Sequence, residues 1–311
     1  MTRPSPWRIA ACLLTLYLVW GSTYLAIRVS VETLPPFLMA GVRFLVAGSI
    51  LSVILGITGR FRATRHQWIQ NVWIGCLMLL GGNGLVSWAE QTIPSGITTL
   101  IVSFSSLMMV IAEWWISRMT AGRLGARPNG LIFVGVAVGL LGIGLLVGPS
   151  LGFSGPHTYD PFRVGGLILA CLTWTIGSMM SRYTKDPVDP ITGSAIQMLC
   201  GGAWLVLTGS LLGEWQATDW QLVSGQSVLA WGYLVVAGSL IGFTAYVWLM
   251  NHASPTLVST YAYVNPVVAV FLGWLILHEA VNRWTLIAAA IIVTGVALIT
   301  VGKSVKSARA R

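Results

Sequence analysis

The sequence predicts an all-α, polytopic membrane protein of ten transmembrane helices, built as two inverted five-helix units with both termini cytoplasmic. Three observations carry this. Hydrophobic residues make up 55% of the 311-residue chain, charged residues only 9%, and 35 positions are glycine, a composition that cannot clothe a soluble core in polar surface. Apolar stretches of about 20 residues, enough to cross a hydrocarbon layer of roughly 30 Å as helix, recur along the whole chain. Basic residues, finally, fall on alternate connections.

The ten stretches are 9–28, 37–58, 68–89, 95–117, 129–148, 163–183, 191–212, 228–250, 256–277 and 284–302. The first follows Arg3 and Arg8 but is too long for a signal peptide and lacks a small-residue cleavage site, so it is expected to stay as a helix. On it Tyr17, Trp20, Gly21, Tyr24 and Arg28 recur at i, i+3, i+4, i+7 and i+11, one continuous face. The second begins after Pro35-Pro36 and carries Arg43 about seven residues, roughly 10 Å, below its outer end. A charge there needs a partner or a water-filled cavity. Glu90 and Glu279 are the expected ion-pair partners, and a substrate carboxylate is the alternative.

The third span lines up Asn83, Ser87 and Glu90, and the fourth Thr99, Ser103 and Ser106. Gly135 and Gly139 in the fifth have the GxxxG spacing of close helix packing, as do Gly238 and Gly242 in the eighth. The sixth repeats the aromatic and polar stripe of the first through Cys171, Trp174, Ser178, Ser181 and Arg182, and the seventh carries no such stripe apart from Gln197. Beyond its glycines the eighth carries Thr244, Trp248 and Asn251 at helical spacing, while the ninth carries Tyr261 and Asn265-Pro266. Pro266 cannot donate to the carbonyl of Ala262, which predicts a bend and a free acceptor. The tenth span is plain. Connections are short, the longest running from Pro149 to Phe162 and from Gly213 to Ser227, leaving no room for a soluble domain.

Placing the N-terminus in the cytoplasm puts 14 of the 18 Lys and Arg residues on that side, the distribution the positive-inside rule requires. The net charge of +9 therefore reflects topology and calls for no nucleic-acid partner. Adding 154 to the number takes Trp20 to Trp174, Arg28 to Arg182, Pro36 to Pro190, Arg43 to Gln197 and Gly48 to Gly202, and adding 161 takes Asn83 to Thr244, Ser87 to Trp248, Pro94 to Pro255 and Ser105 to Pro266. Constant offsets over such residues mark an internal repeat, with one unit over 1–150 and the other over 151–311. Five helices per unit, an odd number, turn the second unit upside down, the architecture of alternating-access transporters with a midplane site between the halves.

The expected substrate-binding residues are Tyr17, Trp20, Tyr24, Asn83, Ser87, Ser103, Trp174, Ser178, Trp248, Tyr261 and Asn265, with Arg43, Glu90, Pro266 and Glu279 in structural or gating roles. Of these, Trp20, Tyr24, Trp174, Trp248, Tyr261 and Asn265 should line a single cavity. An enzyme is not expected. Gly148-Pro149-Ser150-Leu151-Gly152 matches GxSxG but follows a membrane span instead of a strand. Cys12, Cys76, Cys171 and Cys200 lack metal-ligand spacing, so neither metal nor cofactor is expected.

The segments Trp20-Gly21-Ser22-Thr23-Tyr24, Pro35-Pro36-Phe37-Leu38-Met39-Ala40-Gly41-Val42-Arg43-Phe44, Trp88-Ala89-Glu90 and Ser259-Thr260-Tyr261-Ala262-Tyr263-Val264-Asn265-Pro266 resemble the drug/metabolite transporter superfamily in its ten-helix EamA branch, along essentially the entire chain. The resemblance extends to bacterial exporters of aromatic amino acids in that branch. It implies 5+5 inverted helices, a central cavity, a place in the bacterial inner membrane, and export of amino acids or related metabolites by a protein that works as a monomer in the lipid bilayer. Multidrug or cationic-compound export is the alternative activity the superfamily implies.

Overall fold

A computed structural model describes residues 5–93, 95–125, 128–147, 160–277 and 283–309. Helix is the only regular structure among them, and its long segments are α1 Pro6–Ser30, α2 Pro36–Ile57, α3 Arg65–Ala89, α4 Ser95–Met119, α5 Gly130–Val147, α6 Pro161–Tyr183, α7 Pro190–Leu211, α8 Gly225–His252, α9 Tyr261–Leu277 and α10 Arg283–Arg309, with short helical turns at Glu214–Ala217, Trp220–Leu222 and Pro255–Val258. Each of the ten predicted stretches is thus occupied by helix, and seven helical spans among the described residues are long and apolar enough to cross a membrane. Large apolar side chains such as Leu18, Val53, Ile54, Trp115 and Ile176 stand half exposed or more around the bundle. That is the reverse of a soluble surface and the face a lipid-solvated bundle presents. Glu279 and the GxSxG match at 148–152 lie outside the described residues.

Local signals set the helix starts. Proline occupies the first turn of α1, α2, α6 and α7, where its missing N–H costs nothing. Asp160 and Asp189 accept from the first free N–H groups of α6 and α7, and Thr64 with Gln67 forms a capping box on α3. Helix α2 is preceded by Pro35, which has no capping side chain. Its cap comes from the other half of the chain: Glu214, after α7, accepts from Phe37 N at 3.2 Å and Leu38 N at 2.8 Å. Burial raises the Glu214 carboxyl above its ordinary range, and the two N–H donors pull it back.

Small residues bring backbones together. A Cβ on Gly295 of α10 would lie 2.7 Å from Gly139 N and 2.8 Å from Gly135 O, so the first GxxxG pair seats one helix on another as expected. A Cβ on Gly202 of α7 would lie 2.9 Å from Gly41 O of α2. Gly238 and Gly242 depart from the expectation. They make room for side chains, the Arg43 guanidinium and the Trp20 indole.

Contacts at the helix ends show the direction of each half. Arg28 near the end of α1 donates to the carbonyls of Glu90 and Gln91 just past α3, and Arg163 at the start of α6 donates to the carbonyl of Trp88. At the opposite end of the bundle, Gln67 at the start of α3 donates to Asp186 just past α6. Helices α1 and α6 therefore run in opposite directions. Both α3 and α8 contain a π-helical stretch, Cys76–Gly84 and Leu234–Phe243, a widened turn that recurs at functional sites.

Candidate functional site

Seven helices, α1, α2, α3, α4, α6, α8 and α9, enclose a cavity of about 70 Å³. Pockets that hold small molecules span about 300–1,000 Å³. In this conformation the cavity thus admits a few waters and no organic solute, and the bundle must rearrange to take one.

One wall is aromatic. The Trp20 ring lies 5.5 Å from Trp174, 5.1 Å from Tyr246 and 5.0 Å from Tyr261, centroid to centroid. Edge-to-face and offset pairs of this kind each add about 0.5–1.5 kcal/mol beyond the area they bury. Polar edges are held by hydrogen bonds. Trp20 Nε1 donates to the Gly238 carbonyl at 3.2 Å, Trp174 Nε1 donates to the Tyr246 hydroxyl at 3.0 Å, and that hydroxyl lies 2.6 Å from Ser178 Oγ. The indoles also interlock with the widened helices. A Cβ on Gly242 would fall 2.4 Å from Trp20 Nε1, and one on Gly82 would fall 2.7 Å from Trp174 Cε3, so each tryptophan occupies space that a glycine of the other half leaves free. Arg43 and Asn83 bring polar groups to the cavity, and Ile27, Phe44, Leu79 and Val86 complete an apolar lining.

Hydrogen bonds join the helices at both ends of the path. Below the aromatic wall, toward the end of the bundle that carries Pro6 and Tyr183, the Tyr17 hydroxyl bonds Thr260 and Ser106 Oγ donates to the Ser259 carbonyl at 2.7 Å. There too Glu113 accepts from Thr256 Oγ1 at 2.6 Å, and Arg182 donates to the Met250 carbonyl at 2.6 Å. At the other end Arg28 holds the carbonyls of Glu90 and Gln91. Arg28 and Arg182, repeat partners by sequence, thus make the same kind of contact at opposite ends, each from the first helix of one half to the end of the third helix of a half.

Among the residues expected to bind substrate, Trp20, Tyr24, Asn83, Trp174 and Tyr261 line the cavity. Tyr17 and Ser178 stand behind it, bonded to Thr260 and Tyr246, and Ser87, Ser103 and Asn265 are buried outside the lining. Asn265 faces the Tyr24 hydroxyl. Trp248 is not in the wall and stacks on His252 at 4.3 Å. Pro266 sits inside α9. The expected ion pair between Arg43 and Glu90 is not formed: Arg43 Nε donates to Ser239 Oγ at 2.8 Å, while both Glu90 carboxylate oxygens are buried without a hydrogen bond.

Sequence reasoning missed Tyr246, the fully buried centre of the aromatic wall, and Phe243 beside it. The cause is the π-helical stretch in α8. Gly238 and Phe243 both reach the cavity although five residues apart, the step of a π turn, and Tyr246 follows three residues later. An uninterrupted 3.6-residue period instead selects Thr244, Trp248 and Asn251. Paired glycines in an apolar span were the available signal.

The profile of the EamA-like transporter family matches residues 7–148 and again 163–301. The chain belongs to this family. Escherichia coli K12 contains a relative, the uncharacterized inner membrane transporter YedA, 37% identical over 94% of this chain and 90% of its own length. The uncharacterized transporter YoaV of Bacillus subtilis is 24% identical over 91% and 94% of the two chains. A solved crystal structure shares the fold, with a TM-score of 0.75 and 20% identity over 94% of this chain and 97% of its own. This EamA-like protein is a multi-pass inner-membrane transporter, and the family's members are not enzymes.

Proposed function

We propose that this transporter moves amino acids and related small metabolites, exporting them or letting them diffuse down their gradient, by alternating access through the central cavity. The observation that carries the reading is the cavity itself. Both halves of the chain supply its aromatic wall, amide and guanidinium groups stand among apolar residues, and its volume in this conformation is about 70 Å³. An aromatic and apolar wall suits a zwitterion with an apolar side chain better than a phosphate or a sugar nucleotide, which would call for clustered basic residues. Two repeat-related closures at opposite ends are what a carrier needs to admit solute from one side at a time.

Multidrug or cationic export is less well supported. Indole faces would stack on a cation, but the charged group in the wall is Arg43, and Glu113 is engaged by Thr256 away from it. Purified protein in liposomes should move several neutral amino acids down their gradients. Trp20→Ala or Asn83→Ala should slow that movement while the protein inserts and purifies normally. Robust movement of another solute class with no amino acid transported would refute the substrate assignment, and wild-type rates in both variants would move the site elsewhere in the bundle.

A further inference from the structure

Arg43 is 2% exposed, reaches the cavity wall and has no carboxylate partner among the described residues. Of the five N–H donors of a guanidinium, Nε is taken by Ser239 Oγ at 2.8 Å, and Nη1 is buried without any hydrogen bond. The surroundings hold the group in place: its carbon lies 4.4 Å from the centre of the Phe44 ring. A Cβ on Gly238 would be 3.1 Å from the Thr23 methyl and 3.4 Å from Nη2, an ordinary contact for the guanidinium, which lies alongside this stretch of α8. A buried cation left unpaired costs several kcal/mol, and Glu90, whose own carboxylate is unpartnered, does not relieve it. The cavity also holds a lone acceptor, for Asn83 Oδ1 is buried without a donor.

We propose that Arg43 is the anchor for a carboxylate of the transported solute, with Asn83 Oδ1 receiving its ammonium and the Trp20–Trp174–Tyr261 wall receiving its apolar body. The proposal rests on the transport reading above and narrows it to solutes that carry a carboxylate beside an apolar side chain. A carboxylate can accept two parallel N–H bonds from a guanidinium, and such charge-assisted bonds are the strong ones. Asn83 adds affinity for a zwitterion but does not demand one, so the carboxylate is the group the site selects. Without solute Nε keeps its hydroxyl partner, and the cavity stays small.

The test uses the full chain in liposomes, preloaded with phenylalanine and assayed by counterflow of labelled phenylalanine. Competitors are 3-phenylpropionate, which keeps the carboxylate, and phenethylamine, which keeps only the ammonium. Wild type should be inhibited by the acid at least about tenfold more strongly than by the amine, and Arg43→Gln should bring the two inhibition constants close together, since one charged hydrogen bond is worth about tenfold or more. If Arg43→Gln fails to insert, Arg43→Lys carries the test: its affinity for the acid should drop while that for the amine holds, because lysine keeps the charge and loses the fork. Equal inhibition by acid and amine in wild type, or an unchanged ratio in the variant that inserts, overturns the proposal. If the protein moves no amino acid, the transport reading fails by itself, and the same acid-against-amine comparison on whichever solute it does move decides the role of Arg43.

Discussion

Replacing Gly242 with alanine should destabilise the protein through a single, locatable collision. The new Cβ would lie 2.4 Å from Trp20 Nε1 and 2.8 Å from its Cδ1, well inside van der Waals contact. The indole has little room to retreat, since Trp174, Tyr246 and Tyr261 all have ring centroids within 5.5 Å of it. Overpacking of this kind costs about 1–3 kcal/mol. Displacing the ring would also stretch the bond from Trp20 Nε1 to the Gly238 carbonyl, worth about 0.5–1.5 kcal/mol. Gly→Ala has an opposing effect of up to about 1 kcal/mol from helix propensity. Gly232 supplies the control: it lies in the same helix, and a Cβ there would meet nothing within 4 Å. Propensity cancels between the two variants, so their difference should be about 1.5–4.5 kcal/mol, the sum of the collision and the weakened bond. Thermal unfolding of detergent-purified protein, followed by tryptophan fluorescence, should place Gly242→Ala below wild type and Gly232→Ala level with it or above. A midpoint for Gly242→Ala equal to that of Gly232→Ala would refute the claim that the glycine exists to seat Trp20.

Arg182→Gln should loosen the closure at the Met250 carbonyl, where a charged hydrogen bond worth about 1.5–3 kcal/mol is lost. With Cys12, Cys76 and Cys200 replaced by serine, the cavity thiol of Cys171 should react faster with a membrane-impermeant maleimide added on the predicted cytoplasmic side, and an unchanged rate would show that this contact does not hold the end shut. Glu214→Ala should lower the thermal midpoint by removing the cap on α2, a loss of about 0.5–2 kcal/mol. No change in midpoint would mean that water caps the helix equally well.

Hydropathy made the helical passages legible, because a span in lipid must be both long and apolar. The repeat offsets anticipated that Trp20 and Trp174 meet and that Arg28 and Arg182 act alike. Arg43 stood out by its cost, yet Glu90, one of its two expected partners, does not meet it. Both acids were chosen by depth, but depth says nothing of position around the bundle, and Ser239 of α8 is what Nε meets. Trp248 and Tyr246 show a second limit. Which of them packs on Trp20 depends on one extra residue in a turn, and the hydrophobic pattern upstream is too uniform to reveal where that residue is inserted. The Glu214 cap joins residues 176 positions apart, beyond any local signal.

The π-helical stretch of α8 makes the length of this segment a carrier of information in its own right. Removing one apolar residue between Leu234 and Phe243 would leave hydropathy almost untouched and allow the wide turn to close into ordinary helix. Because the wide turn already absorbs the extra residue, everything downstream would keep its facing, and the Tyr246 ring would stay on the Trp20 face it stacks on. The same deletion at Thr244 or Ala245, in the regular helix that follows, would rotate all that comes after it by about 100°. Substitution scans, which preserve chain length, would pass over this difference. Single-residue deletions walked through the stretch and on past Phe243 would expose it, tolerated inside the wide turn and disruptive beyond it.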